Sequence, residues 1–539
     1  MSENKNSPYQ IKLPLVLCLG LAIGVFIGAS LNSKRTSSEV NSDVQKFREV
    51  LTQIKDEYVD TISTKSLVDD AIQHMLQKLD PHSAYIPASN REAANEDLRG
   101  NFDGIGIEFN IFNDTVVVVS ALSGGPSEEL GIQSGDKIIK VDGKSLAGVA
   151  ATSNDVMRAL KGPKGTQVKV TLLRRDKEME YTIVRDKIPN YSVDVAYMVT
   201  EDVGYIKVNR FSATTYEEFQ AGLKKLREKG MKKLVLDLQG NPGGYMNIAI
   251  EMADEFLEGG KKIVSQKGKE RKYNAEAFAT NRGQFEKGDL IVLVNEGSAS
   301  ASEILAGALQ DNDRALIVGR RSFGKGLVQT PFDLSDGSEL RLTISRYYTP
   351  SGRSIQKPYE DGDEYALDII SRYNHGEFFH ADSIKFNDSL KFITQNGRSV
   401  YGGGGVMPDY FVPLDTTLNS HYLNELYTST AIQEYTFNYA DQHRDRLLKD
   451  GLEEYKKNFK VTPEMIDGLV KVGLRNKVKP DYNDLRKRRK LFEIHVKAQI
   501  ARKLWGNEGF YPVFNETNEV FLQGVKLFDQ IPSLNRRNL

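Results

Sequence analysis

Ser300 stands in the run Ser298-Ala299-Ser300-Ala301-Ser302-Glu303, between an unbroken apolar stretch from Leu290 to Val294 and a helical pattern reaching Gln310. A serine at a helix N-terminus meets unpaired backbone N–H groups and the positive end of the helix dipole, which together stabilise an oxyanion. Ser300 with Glu303 three residues on is also a capping-box pattern, and such a serine taken alone usually only caps. As a nucleophile its hydroxyl needs a base, and none of the seven histidines lies in these motifs. Lys325 is the remaining candidate. It sits between Gly324 and Gly326, beside Phe323, Leu327 and Val328. A lysine serves as a base near neutrality only if burial or neighbouring charge lowers its pKa several units from ~10.4. Gln329 is spaced to hold the amine by a side-chain hydrogen bond. A surface-loop lysine and a polar strand edge are the plain alternatives for these two.

A third segment, Asp237-Leu238-Gln239-Gly240-Asn241-Pro242-Gly243-Gly244, follows an apolar strand pattern and precedes a helical one. Pro-Gly-Gly at such a junction is compatible with N–H groups turned toward a carbonyl, and equally with a plain turn. Asp80-Pro81-His82-Ser83 gathers an acid, an imidazole and a hydroxyl. Adjacent residues of one turn rarely converge on a single substrate atom, so this turn reads as helix-stop chemistry.

The elements that must position these residues follow from periodicity. Apolar residues recur at helical spacing through Val44, Phe47, Val50, Leu51, Ile54 and Tyr58, then through Leu67, Ile72, Met75, Leu76 and Leu79. From about Leu98 to Lys187 short strands alternate with glycines, and Asp142-Gly143 is a strong hairpin signal. From about Ser192 to Val412 strands at Gly204 to Val208, Lys233 to Leu238, Leu290 to Val294 and Leu316 to Val318 alternate with helices at Thr214 to Glu228 and Tyr245 to Leu257. Unbroken apolar strands suit a parallel sheet covered on both faces. Beyond about Leu418 charged helical patterns dominate, including Asp484 to Leu491 with its basic cluster, which reads as a solvated face.

Two resemblances attach to these residues. Gly104-Ile105-Gly106-Ile107 and the later run from Gly131 to Gly143 resemble a PDZ domain, in which a Gly-rich loop offers backbone N–H groups to a peptide carboxylate and the adjoining strand edge accepts the peptide. The Asp237, Ser300 and Lys325 segments, in that order and spacing, resemble the carboxyl-terminal processing peptidases. The likeness runs from about Asp80 through Asp409 and includes Gly402-Gly403-Gly404-Gly405-Val406-Met407-Pro408-Asp409. By that resemblance Ser300 matches the nucleophile, Lys325 the general base and Gln329 the residue that positions it. The Ala301 N–H and the Gly243 region match the oxyanion hole. The resemblance implies an α/β, crotonase-like (ClpP-type) core with an inserted mainly-β PDZ domain, cleavage of proteins near their C-termini, and no metal or cofactor. Gln239 departs from the family, which commonly has arginine there.

The expected organisation is a signal anchor or signal peptide over 1–35, a helical region over 36–97, PDZ over 98–187, the α/β protease core over 188–415 and a helical extension over 416–539. A chain of 539 residues exceeds what one hydrophobic core supports. The formal net charge of -1 gives no bias toward nucleic acid. Leu13 to Leu31 carries no charge and is about the ~20 residues a bilayer-spanning helix needs. Its expected place is the bacterial inner membrane with the catalytic part facing the periplasm; cleavage after Gly28-Ala29-Ser30 would instead release the protein to the periplasm. The only cysteine, Cys18, lies in that run and excludes an intrachain disulfide. Partners are expected to be protein substrates held by their C-termini and the membrane, with a homo-oligomer left open. Two rival functions remain at this level: a non-cleaving PDZ scaffold of the cell envelope, and an acyl-CoA enzyme on the same core.

Overall fold

The computed structural model describes residues 40–122, 124–174, 176–360, 362–384 and 387–530. The apolar run Leu13 to Leu31 and Cys18 lie outside these residues, and among those described no helix is long and apolar enough to cross a membrane. The chain divides into a unit ending at Lys78 and a larger one beginning at Leu79. In the first, residues 40–57 are helical, and Thr64–Gln77 forms a second helix whose Ser63 cap accepts from the Ser66 N–H. The apolar spacing of the sequence does give helices here, but Val44, Phe47, Val50 and Tyr58 are exposed.

Within the larger unit the catalytic candidates hang from a six-stranded sheet ordered Val193–Met198, Val203–Val208, Lys233–Asp237, Asp289–Val294, Leu316–Gly319, Tyr410–Phe411. All neighbours are parallel except the first pair. Ile206, Leu236, Val292 and Ile317 face the helices Thr215–Glu228, Met246–Asp254 and Ala301–Asp311 in one core cluster. Tyr205, Val235, Ile291 and Val318 face the other way and pack against Val520, Phe521 and Leu527. The helix Glu519–Leu527, the last among the described residues, thus covers the second face of the core sheet. The helical extension expected over 416–539 therefore packs in part against the core sheet. The apolar strands demand a cover on both sides, and the chain's far end supplies one of them.

A second sheet, antiparallel throughout, runs Ala84–Ile86, Glu339–Tyr348, Lys262–Gly268, Ala275–Phe278, with Leu327–Asp333 paired to Glu339–Tyr348. Its strands are not among the sequence expectations, although Glu339-Leu340-Arg341-Leu342-Thr343-Ile344-Ser345 alternates polar and apolar residues as a half-buried strand does.

The PDZ region folds as a sheet in the order Ile107–Phe112, Thr115–Ala121, Lys137–Val141, Gln167–Arg174, Lys177–Val184, with the helix Ser153–Leu160 packed on its core through Val156 and Leu160. Ile107–Phe112 ends the order, so one edge of it is unpaired within the sheet. The C-terminal helical region touches this sheet where Phe437 meets Phe112, Glu434 accepts from Asn113, and Lys503 lies 3.9 Å from Glu108. The expected helix from Asp484 to Leu491 is two helices, Tyr482–Lys487 and Arg489–Phe514, broken at Arg488, whose guanidinium turns to Asp484 and the Thr417 carbonyl. The other members of the basic cluster, Arg486, Lys487, Arg489 and Lys490, are exposed.

Candidate active site

The strand Asp289–Val294 leads into a turn that fastens to the Asp237 loop at several points. Ser298 Oγ donates to the Leu238 carbonyl at 2.7 Å, the Gly240 N–H to Asn295 Oδ1 at 2.7 Å, and the Ala299 N–H to the Asn241 carbonyl at 2.9 Å. Fully buried Asn241 also accepts from Ser302 Oγ at that carbonyl. Held this way, Ser300 takes φ 56° and ψ -113° at the mouth of Ala301–Asp311. A positive φ is rare for a residue with a Cβ, and such strain persists only where surrounding bonds enforce it. As the first helical residue, Ala301 has an N–H with no acceptor in its own helix.

Gly243 explains how close the two loops come. Its φ is +100°, and a Cβ there would stand 2.8 Å from both the Ser300 Cβ and the Ala299 carbonyl oxygen, and 2.9 Å from the Ala301 nitrogen. Its own N–H, however, donates to Asn241 Oδ1 at 2.9 Å. In this structure the local Asn-Pro-Gly turn holds that N–H, and what Gly243 visibly contributes is close approach. Gly243→Ala should shift the Ser300 loop. We expect a destabilisation of about 1–3 kcal/mol from overpacking and a fall in cleavage of about 10²-fold or more, as ångström-scale misplacement produces. Thermal melts and initial rates on one preparation check both.

Lys325 lies in the loop joining Leu316–Gly319 to Leu327–Asp333. One buried carboxylate ties this loop to Ser300. Glu303 Oε1 accepts from Ser322 Oγ at 2.5 Å and the Gly324 N–H at 2.7 Å, and its Oε2 from the Lys325 N–H at 2.9 Å and the Ser300 N–H at 2.8 Å. The Tyr347 hydroxyl reaches the carbonyls of both, Lys325 at 2.8 Å and Ser300 at 3.2 Å. From outside, Arg372 donates to the Arg321 and Ser322 carbonyls and pairs with Glu377.

The Lys325 ammonium donates to Gln329 Oε1 at 3.1 Å. Burial holds its pKa below the ordinary lysine value; Glu303 and Asp80 oppose this, and Arg341 adds to it. Burial also pushes Glu303 up to about 7, against the hydrogen bonds it accepts. His82 is held down to about 4, by burial first and the Lys325 charge second, and stays neutral near pH 7. A desolvated amine of lowered basicity on one loop, joined through one carboxylate to a strained serine on the next, is an arrangement suited to taking a proton from a hydroxyl.

From sequence, Ser300 stands at a helix mouth, Lys325 in a glycine-flanked loop and Gln329 on the strand after it, but what connects them is not marked there. Glu303 was legible only as a capping partner. That its carboxylate reaches across to residues 322–325 has no sequence signal, and Tyr347 and Arg372 carry none either. The PDZ loop lies on its own sheet. Gly104 ends the strand Asn101–Gly104, buried Ile105 accepts from Ser127 at its carbonyl, and Ile107 opens the edge strand. Gly106 has φ +73° with a Cβ position 3.0 Å from Ile188 Cδ1, so a larger residue would be both strained and crowded.

The features define a serine peptidase with an appended PDZ module, and the comparisons agree. Residues 202–364 match Peptidase family S41, 104–184 the PDZ domain, 28–90 the activating protease CtpB N-terminal domain, and 422–506 a family of unknown function. A carboxy-terminal-processing protease of Bartonella bacilliformis is 40% identical over 318 residues, covering 58% of this chain and 72% of that one. A probable CtpA-like serine protease of Staphylococcus aureus is 38% identical over 317 residues, again 58% of this chain, which spans 62% of that relative's length. Among solved structures, a photosystem II D1 C-terminal processing protease aligns over 57% of this chain and 83% of its own at 31% identity, with a TM-score of 0.34. The chain belongs to the carboxy-terminal-processing protease family.

Proposed function

We propose that this chain is an endopeptidase that takes protein C-termini on its PDZ edge strand and cleaves them by a Ser300/Lys325 dyad through an acyl-enzyme. The observation that carries the reading is the Glu303 carboxylate, which fastens the N–H groups of Ser300 and Lys325 at 2.8 and 2.9 Å while Gln329 holds the amine. Neutral Lys325 takes the Ser300 proton as Oγ attacks the scissile carbonyl. The Ala301 N–H lies on the oxyanion side, and the ammonium then returns its proton to the leaving amine. Water, deprotonated by the same amine, releases the second product. The mixed sheet with buried helices on the Ser300 side supports a crotonase-like core as the finer fold. The uncharged run Leu13 to Leu31 supports a tether to the bacterial inner membrane, with the catalytic unit on the periplasmic side.

Incubating the wild-type chain and Ser300→Ala with an unfolded protein bearing an apolar C-terminus, then weighing the fragments by mass spectrometry, tests this. Fragments from wild type alone are expected; intact substrate retained by both would leave a non-cleaving scaffold.

Only the unprotonated amine accepts a proton, so kcat rises with pH through the pKa of Lys325, which burial places below the ordinary ~10.4. Protonation of Glu303 below about 7 removes an acceptor from the clamp and acts in the same direction. Steady-state rates should therefore fall on the acid side and level off before the ordinary lysine range. A limb centred at or above that range would contradict a buried base.

A further inference from the structure

Read from sequence, Asp80-Pro81-His82-Ser83 is a helix stop; in the structure it abuts the residue that holds the proposed base. The Asp80 carboxylate, 8% exposed, accepts at Oδ1 from the His82 and Ser83 N–H groups, both at 2.8 Å, and from Thr343 Oγ1 at 3.1 Å. Its Oδ2 accepts from Ser83 Oγ at 2.6 Å, and that hydroxyl oxygen accepts from the Thr343 N–H at 3.1 Å. Thr343 is in turn the cross-strand partner of Gln329, immediately after a register shift between Val328 and Gln329. The turn so fixed presents the His82 carbonyl to Gln329 Nε2, which donates to it. The imidazole is occupied elsewhere, with Nε2 2.6 Å from the Tyr365 hydroxyl.

The geometry points to the Asp80–Ser83 turn as a positioning element for Lys325, acting through Gln329; this rests on the Ser300/Lys325 reading above. The chemistry lies in which end of the amide faces the amine. A primary carboxamide has a donor end and an acceptor end of nearly the same shape. If its NH2 faced a neutral lysine, it would donate into the nitrogen lone pair and occupy the pair needed for the serine proton. A backbone carbonyl is only an acceptor, so the His82 oxygen selects the NH2 for itself and turns Oε1 toward Lys325. Oε1 accepts one amine N–H, and the lone pair stays available. Besides the direct effect of its charge, Asp80 therefore acts on the base at two removes, by keeping the His82 carbonyl in place.

A double-mutant cycle in the full chain tests this, with kcat and KM measured on a peptide ending in apolar residues for wild type, Asp80→Ala, Gln329→Ala and the pair. Asp80→Ala is expected to lower kcat by about 10- to 100-fold with KM unchanged, the range for losing a hydrogen bond at an ionisable group. On the Gln329→Ala background it should lower kcat by no more than about 2-fold, because the hydrogen-bond route is already cut and loss of the Asp80 charge only favours the neutral amine. Asp80→Asn, which keeps an oxygen for the two N–H groups, should recover most of the rate. Losses that multiply in the double variant, or a change confined to KM, would overturn the proposal. If Asp80→Ala shows no melting transition, Thr343→Val takes its place: it removes one bond to Asp80 at constant shape, and its several-fold loss must likewise vanish without Gln329. Lys325→Ala separates the two levels. A Lys325→Ala enzyme that still cuts would sink the dyad itself, whereas an inactive one beside an uncoupled Asp80→Ala sinks only the role of the turn.

Discussion

Ser300→Ala and Lys325→Ala should each give a folded chain whose cleavage rate is lower by at least about 10⁴-fold, because nucleophile and base act as one unit and removing either forfeits most of the chemistry. Folding should survive for separate reasons. At Ser300 the Cβ remains, and the bond from its N–H to Glu303 does not involve the side chain; losing a hydroxyl at a helix mouth costs about 0.5–2 kcal/mol at most. At Lys325 the alanine removes a cation whose charged form burial already disfavours, which relieves a desolvation penalty while opening a small void. Lys325→Arg is the sharper control. Arginine keeps the positive charge but does not lose its proton in proteins, so it should be as inactive as alanine. The checks are a fluorogenic peptide assay, thermal melts and binding of a C-terminal peptide, which should persist in all three. Residual cleavage within ten-fold of wild type in any of them would remove the dyad.

Glu303→Gln is expected to be damaging, though less so, even though the residue touches no substrate in this mechanism. Each carboxylate oxygen faces two donors, Ser322 Oγ–H and Gly324 N–H on one side, Lys325 N–H and Ser300 N–H on the other. Turned one way, its NH2 meets the Lys325 and Ser300 N–H groups and leaves both unsatisfied; turned the other way, the Ser322 hydroxyl can accept from it but the Gly324 N–H is left unsatisfied, at about 1–3 kcal/mol each. The two loops should relax apart, and kcat should fall by about 10²-fold or more while C-terminal peptide binding on the PDZ sheet is unchanged. A second signature is thermodynamic. Burial raises the Glu303 pKa from 4.5 to about 7 in the folded chain, so between those values the folded state binds more protons than the unfolded one. Its contribution to stability is present below the lower value and is lost as pH rises through the upper one. Glu303→Gln should abolish that slope. Chemical denaturation across this pH window measures it, and a variant with wild-type kcat would show that the clamp does not position the dyad.

The loops can be brought together so closely only where backbone meets backbone. Gly243 illustrates the limit of reading residues from sequence: Pro-Gly-Gly signals a turn, and the turn is there, but only coordinates show that Asn241 Oδ1 takes the Gly243 N–H. In the antiparallel sheet, Glu339 to Ser345 alternates polar and apolar residues, but the strand carrying Gln329, Leu327–Asp333, has no such alternation and holds Pro331. The adjacency of Asp80, His82 and Ser83 argues against three side chains converging on one atom; the contact the turn makes to Gln329 is through the His82 main-chain carbonyl, a group that every residue possesses and no sequence pattern marks.

Patterns written in consecutive residues were legible without coordinates: the apolar strands, the helical spacings, the glycine-rich PDZ grammar, and the placement of Ser300 at a helix mouth and Lys325 between glycines. These depend on backbone geometry and on burial of nearby side chains, which the local order of residues dictates. Contacts between segments far apart in the chain were decided by tertiary structure alone. They include the Glu303 bonds to residues 322–325, the cover of the core sheet by Glu519–Leu527, and the His82 carbonyl at Gln329 some 247 residues away. Such pairings depend on which surfaces packing brings into register, and a hydrogen-bonding group carries no mark of its partner until the fold removes water from both.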